Sequence, residues 1–280
     1  MFTLFNYSTL LTRLDKGTRT LHVTLKQQHI TQEMLFELES LLSWCTGRVE
    51  IASLLLDSAA GPFSQGLDTT QLPHQSGAQL EKTQHRLQKI VYALMQLPQT
   101  VVVDYGTGAR NWALELGLGA DVRVCARDAD LRFDHARYGL VPACGGMGFL
   151  AVIFGAGHAR AWTATGTSIP QPQLEASGLI HTTYATEDRA TRIGEVLEAI
   201  HQQAPVQRVQ TKLGVFEAHR ETLEKAWIAD RKIAKAALVS EDWKTVTPVS
   251  KAPAPFMPAK SLSYSVKLSL VKLENPTEIQ

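Results

Sequence analysis

The chain has 280 residues, 44% of them apolar, and a formal net charge of +1. That supports a sizeable core without metal or disulfide staples, and the balanced charge excludes a whole-molecule field for nucleic acid or an anionic membrane surface. The three cysteines, Cys45, Cys125 and Cys144, are odd in number and lack metal-ligand spacing. Together with an N-terminus that does not read as a secretion signal and no apolar run near the roughly 20 residues a bilayer needs, they predict a cytoplasmic, metal-free protein with reduced thiols.

Along the chain, residues 20–26 (TLHVTLK) alternate apolar and polar as a half-buried strand does. Thr31 is placed to cap a helix with Met34, Leu38, Leu41 and Leu42 on one face. Residues 51–56 (IASLLL) and 100–105 (TVVVDY) are continuous apolar runs, expected of strands covered on both sides. Between them Leu80, Leu87, Ile90, Val91 and Leu94 mark a helix that stops near Pro98. A short helix over 111–118 and a strand over 121–126 come next. This alternation predicts an α/β domain with crossover connections. Beyond Pro142, helical patterns over 152–165, 170–176, 189–201 and 217–237 predict a helical layer. Pro248, Pro253, Pro255 and Pro258 then mark an extended tail.

Two loops come after buried strands, where ligands bind in open α/β sheets. The first reads Gly61-Pro62-Phe63-Ser64-Gln65-Gly66-Leu67-Asp68; Gly66 permits a sharp turn and Asp68 is placed to cap the next turn or helix. Taken alone it reads as an ordinary surface loop. The second, Gly106 to Arg110, leads through Asn111-Trp112-Ala113 into a helix carrying Glu115. A helix N-terminus presents unpaired N–H groups and partial positive charge to a developing oxyanion. Taken alone, Glu115 reads as a capping or solvated carboxylate.

Taken together, the motifs resemble the crotonase superfamily, the enoyl-CoA hydratase/isomerase family. F-S-x-G-x-D precedes a strand–loop–helix with Glu115; Glu115-Leu116 then leads to Asp121 and an apolar run. The stretch Phe133-Asp134-His135-Ala136-Arg137-Tyr138-Gly139-Leu140-Val141-Pro142 precedes Gly145-Gly146, and Gly166-Thr167-Ser168-Ile169, Ala176 to Ile180 and Ser240-Glu241-Asp242 come after in the family's order. The resemblance covers about residues 18–245 and implies a crotonase-like α/β fold with a C-terminal helical layer. It implies a core over 1–205, a helical trimerisation region over 206–246 and a tail over 247–280. It also implies a homotrimer or hexamer acting on an acyl-CoA thioester, with coenzyme A as part of the substrate and no other cofactor. The oxyanion hole would be the N–H groups of Leu67 and Trp112, each donor worth roughly 2.7–4 kcal/mol. Glu115 and His135 would be the acid/base pair, with Gln65, Gly66, Asp68 and Asn111 lining the substrate.

The departures are specific. Asn111-Trp112-Ala113 stands where most members have three glycines, so the Trp112 indole must point away from the thioester or fill the pocket. His135 stands where the second glutamate belongs, with Asp134 in place of proline. Imidazole titrates near neutrality and can act as acid or base; equally, His135 is a partly exposed residue left by lost catalysis. A binding or assembly protein that keeps the fold, and a thioester or β-diketone hydrolase, therefore stand as alternatives. Cys144 reads as a buried thiol, His158, His181 and His219 as ordinary polar residues, and Asp230-Arg231-Lys232 as a solvated helix face.

Overall fold

The computed structural model describes residues 2–245, so the expected tail over 247–280 lies outside the described residues. An N-terminal antiparallel unit comes first: β1 (Phe2–Thr3), β2 (Leu10–Asp15) and β3 (Thr20–Leu25). From β3 onward the sheet is parallel, through β4 (Ser53–Ser58), β5 (Thr100–Asp104), β7 (Val122–Ala126) and β9 (Thr182–Tyr184), giving the order β1-β2-β3-β4-β5-β7-β9. A second, two-stranded sheet pairs β6 (Gly108–Arg110) with β8 (Asp130–Arg132). Asp130 of β8 joins the two strands a second time by accepting from Arg110 of β6 at 2.7 Å.

The apolar strand runs are covered on both faces, as their composition demands. Register sets Leu54 beside Val101 and Leu56 beside Val103. Those four face the main core, which includes Met34, Leu38 and Leu41 of α1 (Gln32–Thr46) and Leu87, Ile90 and Val91 of α2 (Gly77–Gln96). The alternate residues Leu55, Val102 and Val124 face the other way, onto Ile193, Leu197 and Ile200 of α7 (Arg189–His201). The Thr31 hydroxyl caps α1 by accepting the Met34 N–H at 3.1 Å, and Ser76 with Gln79 forms a reciprocal capping box at the start of α2.

Three boundaries differ from expectation, each for a local reason. The helix expected over 152–165 is two, α4 (Gly148–Phe154) and α5 (Ala156–Thr165), because Gly155 takes φ 92° between them. The last helix, α8, starts at Pro205 and runs 33 residues to Ala237; Pro at its first position is pre-set for helix and lacks only an N–H that has no intrahelical acceptor there. The short helix after Asn111, α3, spans Trp112–Leu116 and passes into a 3-10 turn over Gly117–Gly119. The stretch over 170–176 forms α6 (Gln171–Ala176). The β1–β2 unit and the three-residue strands β6, β8 and β9 have no counterpart in the sequence pattern. No helix among the described residues is long and apolar enough to cross a membrane.

Candidate active site

The first loop is pinned from both sides. Ser64 donates its hydroxyl to Gln28 O at 2.8 Å and accepts the Gly66 N–H at 3.1 Å, while its own carbonyl takes the Arg110 N–H at 3.3 Å. Gly66 sits at φ 76°, and a Cβ there would fall 2.6 Å from Arg110 O and 3.3 Å from Trp112 N. Only glycine permits that approach. It sets the segment carrying the Leu67 N–H beside the Trp112 N–H at the start of α3. Among the described residues neither N–H has an acceptor.

The strained residue of the second loop is Asn111, at φ 49° and ψ −119°, a conformation that suits glycine and costs other residues about 1–3 kcal/mol. The chain thus keeps the glycine-type turn without the glycine. Trp112 and Ala113 lie in ordinary helix behind it.

Glu115 is fully buried in α3, with three polar partners around its carboxyl group. Oε1 accepts the N–H groups of Cys144 and Gly146, both at 2.8 Å, and Oε2 lies 2.9 Å from His135 Nε2. A Cβ on Gly146 would stand 2.8 Å from Oε1, so the carboxylate's approach requires glycine there. The capping and solvated readings of Glu115 are both excluded. His135 is 1% exposed, so it is not the exposed residue of the alternative reading. It opens a 3-10 turn over His135–Tyr138 that Gly139 ends at φ 66°.

The structure brings Glu115, His135, Leu67, Trp112 and Asn111 together. The last four, with Thr69, Leu72, Tyr138 and Leu140, line one cavity of about 10 Å³. The Trp112 indole is fully buried and forms part of the cavity wall. Larger grooves, about 380 Å³ beside Lys212 and Phe216 and about 310 Å³ beside Gln84, His85 and Arg231, include neither Glu115 nor His135. Gln65 and Asp68 lie on the loop outside this cavity. The Asp68 carboxylate caps its own turn, accepting the Thr70 N–H at 3.0 Å and hydroxyl at 2.6 Å, and these bonds hold its pKa below the usual value.

Sequence reasoning missed Asp230. The run it opens reads as a solvated face, yet Asp230 is 2% exposed and its carboxyl takes the Gly148 N–H at 2.9 Å. Burial pushes its pKa up to about 8, with Glu115 adding to the push and the Gly148 N–H opposing it. Alternate N–H groups of one segment, Cys144, Gly146 and Gly148, therefore hold two buried carboxyl groups from α3 and α8. The only sequence trace is the small-residue run Gly145-Gly146-Met147-Gly148. The Cys144 thiol is buried and donates to Gln84 O at 3.5 Å; burial raises its pKa, so it is no nucleophile. His158 stacks on Trp162 and His219 Nδ1 lies 3.0 Å from Val215 O, both away from the pair. Among the described residues no group of three His, Cys, Asp or Glu side chains could hold a metal ion.

Comparison with known proteins gives this arrangement its family. The profile of enoyl-CoA hydratase/isomerase matches residues 19–256. The 1,2-epoxyphenylacetyl-CoA isomerase of Escherichia coli K12 is 25% identical over 246 residues, covering 84% of this chain and 92% of that protein. The putative enoyl-CoA hydratase/isomerase YngF of Bacillus subtilis is 22% identical, covering 76% and 82%. Among solved structures, an enoyl-CoA hydratase from Bacillus halodurans superposes with a TM-score of 0.77 at 20% identity, covering 85% of this chain and 98% of that one. Pseudomonas aeruginosa DspI gives 0.72 at 18% identity over 83% and 96%. The fold is crotonase-like, and the chain belongs to the enoyl-CoA hydratase/isomerase family of enzymes.

Proposed function

We propose that this protein acts on an acyl-CoA thioester by hydration or isomerisation through an enolate, with Glu115 and His135 as its acid/base pair. One observation carries this reading: a carboxylate and an imidazole, both fully buried and 2.9 Å apart, adjoin a cavity bordered by the two acceptor-less N–H segments at Leu67 and Trp112. Fixed N–H dipoles aimed at a thioester oxygen stabilise the charge that develops there without reorganising. A titratable pair next to them moves the proton that enolate chemistry requires. Coenzyme A enters as part of the substrate, no further cofactor takes part, and the protein works in the cytoplasm as a homotrimer or hexamer, which light scattering on the purified chain would check. Gln65 and Asp68, on the outer loop, are assigned to the approach of the substrate rather than to its reacting atoms.

A second reading rests on how little space this cavity holds. About 10 Å³ has no room for an acyl group, so a member that keeps the fold for assembly alone also fits. Turnover of short and medium enoyl-CoA substrates, with calorimetry of coenzyme A binding, separates the two. The first reading expects binding and turnover by the wild type; the absence of both leaves the second.

A further inference from the structure

Away from the Glu115–His135 pair, α2 and α8 border a groove of about 310 Å³, lined by Lys82, Gln84, His85 and Gln88 of α2, by Arg231 of α8 and by Ala143. Its walls are fixed to one another. Gln88 Nε2 donates to Ala143 O and to Trp227 O, both at 3.3 Å, and the Cys144 thiol donates to Gln84 O at 3.5 Å. The charge around it is one-sided. Glu81 lies on the rim with Lys235 3.7 Å away, whereas Lys82 and Arg231 have no carboxylate partner among the described residues. Burial, with the charges of Arg231 and Lys89 against that of Glu81, holds the His85 pKa below the usual imidazole value. Cations left unneutralised around a concave site favour an anion there. A second observation is independent of charge. Gln84 is 4% exposed, yet neither its Nε2 nor its Oε1 has a partner. Buried polar atoms are paired in the great majority of cases, and a polar occupant of the groove would supply what this amide lacks.

We propose that the α2–α8 groove is a binding site for a tetrahedral oxyanion, a phosphate or sulfate group, held by Arg231 and Lys82 with the Gln84 amide and the His85 ring as further donors. Arginine meets such a group with its planar fork and lysine as a point charge. The volume, about 310 Å³, is at the lower end of ligand pockets, roughly 300–1,000 Å³, so a small phosphate ester fits as well as a free ion. None of Glu115, His135, Leu67 and Trp112 lines the groove, so the site stands without the acyl-CoA reading. Binding is coupled to the protonation of His85. An anion beside the ring favours the imidazolium, and by reciprocity protonation favours the anion. Affinity therefore rises as pH falls through the range where His85 gains its proton, below the ordinary imidazole value of about 6.5.

Inorganic sulfate is the probe, because its charge stays constant over the pH range used. Proton NMR follows the His85 ring in the full-length protein at fixed ionic strength, its signals identified by their loss in His85→Gln. Replacing chloride with sulfate is expected to raise the pKa of the ring, and half-saturation of that shift reads the affinity. Arg231→Gln should weaken it by about tenfold or more, the loss of a hydrogen bond between charged groups. Gln84→Leu, which keeps every cation, should weaken it several-fold. Lys232→Gln, one residue along α8 and outside the groove, should leave it unchanged. A His85 titration that sulfate does not move overturns the site. Equal weakening by Arg231→Gln and Lys232→Gln marks general surface charge and overturns it too. Wild-type affinity in Gln84→Leu leaves a coulombic patch in place of a built site, with the same consequence. Competition then names the source of the anion. Displacement of sulfate by coenzyme A assigns the site to the phosphates of a thioester, and displacement by inorganic phosphate but not by coenzyme A assigns it to a free ion; either upholds the site.

Discussion

Two buried carboxylates at opposite faces of the sheet are handled in contrasting ways. Asp104, at the end of β5, is fully buried and accepts Tyr184 O–H at 2.6 Å, Gly106 N–H at 2.9 Å and Arg189 Nε at 2.6 Å. Arg189 also reaches Asp57 at 3.1 Å, tying α7 to β4 and β5; Asp57 Oδ1 is the one orphan there. Glu115 has as many donors, but its side-chain partner is a titratable imidazole, and the residues around that imidazole leave four orphaned atoms, on Asn111, Trp112, Asp134 and His135. A permanent cation with nearly every atom paired makes a rigid pin. A titratable partner among unpaired groups costs stability and leaves valences for something else.

That contrast predicts opposite responses to removing each partner. Arg189→Met leaves Asp104 and Asp57 without their cation and is expected to destabilise the fold by about 3–4 kcal/mol, as when one partner of a buried pair is removed. Turnover per folded molecule should hold. His135→Gln leaves Glu115 its two backbone donors, so its stability cost is about 1 kcal/mol, while activity collapses. Urea unfolding beside active-fraction kinetics checks both; equal stability losses would erase the distinction.

Asp230 sharpens the comparison because it has neither a cation nor three donors. Its pKa, raised from 3.8 to about 8, makes the charged form the destabilising one. The fold therefore keeps this group's full contribution below about pH 4 and loses it as pH rises towards 8. Asp230→Asn, which can still accept the Gly148 N–H, removes that loss. Relative to the wild type it is expected to be more stable by about 2–3 kcal/mol at pH 9 and little different at pH 4. Denaturation midpoints across that range measure it, and parallel pH curves for the two proteins would refute it.

Much of the sheet and the helix order was legible because burial on both faces leaves a plain trace, as in Leu54–Leu56 and Val101–Val103. Capping chemistry was legible at Thr31. The family motifs led to Glu115, His135, Leu67 and Trp112, which the fold then gathered. Illegible were features that depend on what a residue meets across the fold. Strands of three residues, such as β6 and β8, carry too few positions to show a period. Asp230 shares a charged run with Arg231 and Lys232, and only the packing of α8 against Gly148 shows that one of the three turns inward. The size of the cavity was illegible for the same reason: it depends on how Trp112, Leu72 and the Tyr138–Leu140 segment meet from three separate parts of the chain.

Asn111 is where the two styles of burial can be tested with one atom's change of sign. Its φ of 49° is strained for a side chain, and its Oδ1 is an unpaired acceptor. In Asn111→Gly both penalties vanish, offset in part by the entropy glycine loses on folding. The net expectation is a gain of about 1 kcal/mol in stability, read as a higher Tm. If Asn111 helps hold a ligand oxygen, the same change should lower kcat, so stability and activity move in opposite directions. A stabilised variant with wild-type turnover would mean that the strain at Asn111 serves only to bring the Trp112 N–H to Leu67, and that the amide oxygen has no part in the chemistry.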